Sequence, residues 1–307
     1  MPYVIEHEEK EAISLEELVE YLVDNNIETA KHEEMIEAAP MLAKLGNNPT
    51  FLSDMVTKEL HNYSEFQDEN TYSSQVILLH PPRPDIRFFV RANIWPGKAD
   101  YLTALNGTDA FFYHRPHDHN FNFLTVGYHG PGYWSDYYEY DYGDIDGYAG
   151  EDAQLRFIER SRLDKGKLML YRAHVDVHDQ LPADSFSVSL NIMENSIKNP
   201  FLDQYSYDLK NKTIKGIINQ NNTDSLFQLA LMSDSGNSRD VIEHIAKNHE
   251  FSRVRLNAIH ALASRQYSVE QAVSVLNSYL AAPSALVRKT VEQSIRRMEQ
   301  HNAKVKA

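Results

Sequence analysis

The chain of 307 residues has no cysteine. That excludes disulfides, thiolate metal sites and a cysteine nucleophile, so any bound metal must be held by His, Asp or Glu. Basic residues are scarce: 30 Lys and Arg stand against 44 Asp and Glu, for a formal net charge of −14. Phosphate backbones and anionic membranes need a basic surface, so both are excluded as general partners. No apolar run reaches the roughly 18 residues of a membrane-spanning helix. The opening MPYVIEHEEKEAI lacks an apolar run behind a basic stretch, so no signal peptide is expected and the expected location is cytoplasmic. What the chain does have is 42% hydrophobic residues, enough for a packed core, and a length that allows one large domain or two to three small ones.

Three textures follow one another along the chain. Residues 1–75 read as helical. Ser14 and Glu17 form an S-x-x-E capping box ahead of Leu18, Tyr21 and Leu22 at helical spacing. Thr29 is placed to cap a second helix carrying Met35, Ala38, Leu42 and Leu45, with Gly46 as its stop, and FLSDMVTKEL reads as a third. Residues 76–221 alternate with period two in QVILL, IRFFVRANIW, FNFLTVGY, WSDYYEYDY, KLMLYRAHVDV and FSVSLNIM. Turn signals such as WPGK, HGPG, GDIDG and LDKGK separate them, the pattern of an antiparallel barrel or double-sheet jelly roll. YSYDLKNKTIKGII adds a hairpin turning at Lys210-Asn211-Lys212. Residues 222–307 are helical again. There SRVRLNAIHALA and SALVRKTVEQSI match at Val254 and Val287, Arg255 and Arg288, and Leu262 and Ile295. Paired helices at that spacing are similar to HEAT repeats.

The densest chemical signal is HRPHDHNFNF at residues 114–123. On a strand, His117 and His119 face the same way, so both imidazoles can reach one ion. A third ligand must come from elsewhere. LYRAHVDVH, read as one strand, puts Arg172, His174, Asp176 and His178 on one face, so His178 and His174 are rival third ligands. His114, ahead of the strand, reads as a turn residue. A second constellation takes His174 and Asp176 as the H-x-D of a 2-oxoglutarate oxygenase, but the later histidines it needs, His244, His249 and His260, lie in the helical region.

HDH, the Gly130-Pro131-Gly132 hairpin, the distant His178 and the strand SVSLNIM together resemble the cupin superfamily, over roughly residues 80–195. The cupin pattern G-x5-H-x-H-x3,4-E-x6-G, with a later histidine, implies that His117 and His119 take the first two ligand places and His178 the last. Gly130 fits the closing glycine. The glutamate place falls on Phe123 or Leu124, which leaves a three-histidine site, the arrangement of the thiol dioxygenase branch. FVRANIW and SVSLNIM are also similar to that branch, whereas its tyrosine and histidine on the last strand fall on Met193 and Asn191 here. The expected fold class is therefore α+β: a cupin-like double-stranded β-helix (jelly roll) barrel between an N-terminal helical segment and a C-terminal HEAT-like helical domain.

Further residues join the candidate site. Arg91 shares a strand face with Arg87, Phe89 and Asn93, and Arg172 shares the face of His178. A guanidinium inside a barrel must be paired, either with a carboxylate such as Asp176 or with an anionic substrate group. Glu139, alternating with Tyr137 and Asp141, is a candidate fourth ligand or base, although the acidic stretch 133–152 also reads as a plain exposed strand and loop. Tyr128 or Tyr138 is a candidate proton donor. The expected activity is that of a mononuclear non-haem iron oxygenase, with Fe(II) on His117, His119 and His178, acting on a small anionic metabolite or a peptide-borne amino acid. Zn, Ni or Mn at the same residues would serve an isomerase or hydrolase. A ligand-sensing barrel whose repeats bind a partner protein or a second copy is the third expectation.

Overall fold

The computed structural model describes residues 1–61, 67–68, 70–219, 221–232 and 237–306. They divide into two units, Met1–Tyr142 with Gln154–Asn199, and Gly143–Ala153 with Pro200–Ala307.

The first unit holds β1 (Tyr3–Ile5), α1 (Leu15–Asp24), α2 (His32–Gly46), α3 (Phe51–His61), β2 (Val76–His80), β3 (Phe88–Trp95) and α4 (Tyr101–Asn106). It continues with β4 (Phe123–His129), β5 (Trp134–Glu139), β6 (Arg156–Arg162), β7 (Leu168–Tyr171), β8 (Asp176–Leu181) and β9 (Ser187–Glu194). The start is not wholly helical, since Tyr3–Ile5 pairs with β7, but α1 begins as its capping box indicates. Ser14 Oγ accepts from the Glu17 amide at 3.2 Å, and the Glu17 carboxylate accepts from the Ser14 amide at 2.7 Å. Thr29 does not cap α2. Its hydroxyl donates to the Arg87 carbonyl instead, and α2 begins at His32 without a side-chain cap. Gly46 is the last residue of α2 and packs against Val126 of β4, where a larger side chain would crowd the valine.

Six strands form one sheet in the order β1-β7-β4-β9-β3-β2, and three form another, β6-β5-β8; every neighbouring pair is antiparallel. Alternation gives the large sheet two unlike faces. Val90 and Ala92 of β3, Leu124 and Val126 of β4 and Leu190 and Ile192 of β9 pack with Leu18, Met35 and Leu42 of the helices. The other face presents Phe89, Trp95, Phe123, Met169, Tyr171 and Met193, which cluster with Tyr137 of the small sheet. Helices thus cover one face of the large sheet and the small sheet covers the other.

Two expected strands are shorter than their patterns. HRPHDHNFNF is not a continuous strand. His117 makes a single antiparallel bridge to His178, with amide-to-carbonyl distances of 3.1 and 3.0 Å, and regular pairing starts only at Phe123. LYRAHVDVH breaks between Tyr171 and Asp176. His174 takes φ +59, and the Asp176 carboxylate accepts from the Arg172 amide at 2.7 Å, closing a turn that passes the chain from the large sheet to the small one. Arg172, His174 and His178 therefore do not share a strand face. Strand β6 was not expected: its charged side chains lie at an exposed sheet edge and hide the alternation that marks buried strands.

The second unit contains the hairpin β10 (Tyr205–Asp208) and β11 (Thr213–Ile217), followed by α5 (Thr223–Met232), α6 (Ser238–Asn248), α7 (Ser252–Ser264), α8 (Val269–Asn277) and α9 (Ala285–Lys306). The hairpin turns where expected: the Asp208 carboxylate accepts from the Lys210 and Asn211 amides, and Lys212 takes φ +56. The two similar segments lie on α7 and α9. Their matched positions Val254, Val287, Leu262 and Ile295 are buried in one cluster. Among the described residues, no helix is long and apolar enough to cross a membrane.

Candidate metal centre

His117 and His119 sit on the chain just before β4, and His178 lies in the middle of β8. The bridge between His117 and His178 brings the two segments together. Among the described residues, these three form the single His, Asp or Glu cluster able to hold a metal ion, and all three are buried. His119 Nε2 lies 3.1 Å from His178 Nε2, which lies 3.3 Å from His117 Nε2. Nitrogens about 2.0–2.1 Å from one ion stand roughly 3.0–3.4 Å apart, so these spacings fit a shared cation.

The donor chemistry agrees. His117 Nδ1 lies 2.6 Å from the Arg115 carbonyl oxygen. A carbonyl only accepts, so Nδ1 carries the proton and Nε2 presents its lone pair to the other rings. Burial pushes His117 down to about 4, and the charges of Arg115 and Arg91 add to this. Burial likewise holds His119 and His178 well below the usual imidazole range. Three neutral imidazoles aim nitrogens at one point, where one N–H can serve only part of the set and a cation satisfies all of it. The chain between His117 and His119 is also fixed: buried Asp118 accepts from the Tyr140 hydroxyl at 2.5 Å.

Aromatic rings surround the cluster. Phe121 and Phe123 each lie 4.9 Å from the His119 ring, Tyr171 lies 5.1 Å from the His178 ring and Phe112 5.8 Å from the His117 ring. The Tyr171 and Tyr137 hydroxyls are 3.0 Å apart, and burial keeps both protonated far above neutrality. Tyr137 stands directly across from His178 in the β5–β8 register. Gly130 and Gly132, at φ +76 and +84, turn the chain from β4 into β5. At Gly132 a Cβ would run into the Leu163 carbonyl.

The other expected residues divide. Arg91 alternates on β3 with Phe89 and Trp95, both members of the inner cluster, and its charge bears on His117 and His119. No carboxylate pairs with Arg91 among the described residues. Its Nε is buried without a hydrogen-bond partner, and its guanidinium lies 5.4 Å from the Tyr72 ring. Arg172, by contrast, is fully engaged. It donates to Asp176 at 2.7 Å, to Glu139 at 2.8 Å and to the Met1 carbonyl at 3.0 Å. Burial works against its charge, yet these carboxylates hold the guanidinium above its usual range. It clamps the β7–β8 turn. Glu139 is the other half of the clamp; it also pairs with the Met1 amino group and, at 3.6 Å, with Arg156. Neither belongs to the histidine cluster.

Tyr128 lies on the opposite face of β4, because it alternates with Val126 and Leu124. It packs in the helix-side cluster and donates to the Asn48 carbonyl at 3.0 Å. Tyr138 packs against Phe157 on the small sheet. His174 stays in its turn beside Tyr142 at 4.1 Å, outside the cluster, and Asp176 is committed to Arg172. Asp176 is thus not open as the H-x-D carboxylate, and of the two rival histidines the cluster includes His178 and not His174. His114 sits in the turn ahead of the site.

The sequence reading gives no site role to Tyr171, Thr125 or Asn191. Alternation through FNFLTVGY and SVSLNIM does signal the last two, since it sets polar side chains on the inner face among apolar ones.

No protein-family model matches the sequence, and no curated protein matches it. Solved structures do match. Salicylate 1,2-dioxygenase from Pseudaminobacter salicylatoxidans is 10% identical over 50% of this chain and 37% of its own, with a TM-score of 0.29. A DMSP lyase from Ruegeria pomeroyi DSS-3 is 10% identical over 40% and 47%, with a TM-score of 0.25. Procruciferin, an 11S globulin from Brassica napus, is 9% identical over 41% and 27%, also at 0.25. The chain thus spans less than half the length of each. Overlap this slight decides neither fold family nor activity, and the site stands on its own residues.

Proposed function

We propose that the chain is a cupin-type, metal-dependent oxygenase in which His117, His119 and His178 hold a single iron(II), and that its substrate is a small anionic metabolite or a peptide-borne amino acid. The observation that carries this reading is the convergence of three buried, neutral imidazoles, one with its tautomer set by the Arg115 carbonyl. Three protein ligands leave coordination positions open, and iron there would supply binding and activation of substrate and O₂. Arg91, charged and without a carboxylate partner among the described residues, is the group that would orient the substrate's anionic end. The aromatic wall of Phe121, Phe123 and Tyr171 would exclude water. Tyr171, hydrogen-bonded to Tyr137, holds a proton at its hydroxyl oxygen beside the ligands.

On this reading the two sheets form a jelly-roll barrel, and the helices of the second unit are HEAT-like repeats that carry a partner protein or a second copy. A cavity of about 420 Å³ in that unit is lined in part by Arg239, Glu243, Lys247, Arg255 and Tyr279. The cytoplasm is the proposed location. One alternative keeps the residues and changes the ion: neutral imidazoles suit zinc equally well, and a zinc-, nickel- or manganese-loaded site would serve an isomerase or hydrolase.

The test is oxygen uptake by protein loaded anaerobically with iron(II) and offered a panel of small acids, amino acids and thiols. Substrate-dependent uptake that His119→Ala abolishes is expected. Turnover without oxygen would move the assignment to the isomerase or hydrolase reading.

A further inference from the structure

The inner face of the large sheet is not the closed apolar surface that its neighbours imply. Directly opposite one another across β3, β9 and β4 stand Arg91, Asn191 and Thr125. In the adjacent row Asn93 stands opposite Ser189. Side chains so paired lie about 4.5–5.5 Å apart at Cβ and diagonal neighbours about 7–8 Å, so the five form one patch. All face inward, because they alternate with Phe89, Trp95, Phe123 and Met193 of the inner cluster. Thr125 is 0% exposed, Asn191 2% and Asn93 8%. Yet Thr125 Oγ1, Asn191 Nδ2 and Asn93 Oδ1, with Arg91 Nε, have no hydrogen-bond partner among the described residues. Ser189 differs: its hydroxyl already accepts from Trp95 Nε1 at 2.9 Å.

A buried polar atom without a partner costs about 1–3 kcal/mol, and native interiors hold few of them. Four of them lie here on three neighbouring strands, in register, and the charge of Arg91 bears on His117 and His119. They also differ in kind. Asn191 Nδ2 and Arg91 Nε only donate, Asn93 Oδ1 only accepts, and the threonine hydroxyl does either. Donors alone would suit a bare carboxylate. The acceptor among them calls for a ligand that donates as well.

We propose that Asn93, Thr125 and Asn191 form a polar subsite that reads a hydrogen-bond donor on the substrate, so that the substrate is a small acid bearing a hydroxyl or amino group and not one with a purely hydrocarbon body. The inference rests on the reading of this interior as the substrate chamber.

The test uses the full chain loaded with zinc, which is redox-silent, and titrates glycerate, serine and propionate by calorimetry. Zinc content is measured on the same samples. Glycerate or serine binds at least about tenfold tighter than propionate, the equivalent of one or two hydrogen bonds. Thr125→Val keeps the shape and removes the hydroxyl. It reduces the preference severalfold while the ligand-free variant melts at the same temperature as wild type or above it, because an unpartnered polar group is gone. Asn191→Leu gives the same loss of preference by an independent route.

Propionate binding as tightly as the other two overturns the proposal, as does the absence of binding by all three with zinc in place. So does a Thr125→Val variant that melts lower and keeps the preference, since the hydroxyl would then be serving structure. Acid preference in a chain that takes up no zinc would sink the metal reading and leave this subsite standing.

Discussion

At the scale of single residues, the account depends on imidazoles kept neutral. Burial lowers His117 from its ordinary 6.5 to about 4, and His119 and His178 move the same way. A histidine whose folded value is depressed contributes stability that is fully present above the unfolded value and lost as pH falls through the folded one. Metal-free protein therefore loses stability between about pH 6.5 and pH 4. Each such histidine steepens that loss by up to about 1.4 kcal/mol per pH unit. Urea midpoints of chelator-treated protein at pH 7.5 and pH 5 check this, and His119→Gln should flatten the dependence. An unchanged slope would mean that these rings are not shielded as described. Arg91 yields a second residue-scale prediction. If it grips the substrate's anionic end, Arg91→Met weakens binding of that substrate by about 1.5–3 kcal/mol and leaves metal content unchanged, as calorimetry and metal analysis on one sample would read.

At the scale of elements, two local devices hold the scaffold in place. The Ser14 and Glu17 capping box starts α1, so Ser14→Ala should cost about 1 kcal/mol in urea unfolding. Gly132 has φ +84 and faces the Leu163 carbonyl, so Gly132→Ala should cost about 2 kcal/mol or more. Both substitutions lie outside the histidine cluster. The elements also show what the sequence made legible. Period-two alternation located β2, β3, β4, β5 and β9, and the capping box located α1. It could not locate β6, whose charged edge lies against solvent. It also ran LYRAHVDVH through as one strand, because nothing in the alternation marks a turn that a single side chain, Asp176, closes on the Arg172 amide. That one turn moved Arg172 and His174 away from His178. The histidine pair was legible from its i, i+2 spacing, although the geometry reaches it through an isolated bridge and not a strand. Tyr128 shows the limit of residue type as a guide: the same alternation that points Phe123 inward points Tyr128 at the helices. The inner polar row was written in the alternation of FVRANIW and SVSLNIM, but only the register across three strands assembles it.

At the scale of the whole molecule, the chain pairs a double-sheet unit carrying the histidine cluster with a unit of helices and one hairpin. A ligand that binds only the folded state stabilises it by mass action, about 2.7 kcal/mol at a hundredfold excess over Kd. Metal should therefore raise the calorimetric transition of the unit that holds the histidines, and chelator should reverse the rise. The measurement that bears most directly on the whole account is metal content. Plasma mass spectrometry on protein purified without a histidine tag, wild type beside His117→Ala, should find close to one metal ion per wild-type chain and almost none in the variant, with circular dichroism unchanged. Equal metal in both, or none in wild type after reconstitution with iron(II) and with zinc, would contradict it and leave His117, His119 and His178 as a structural cluster.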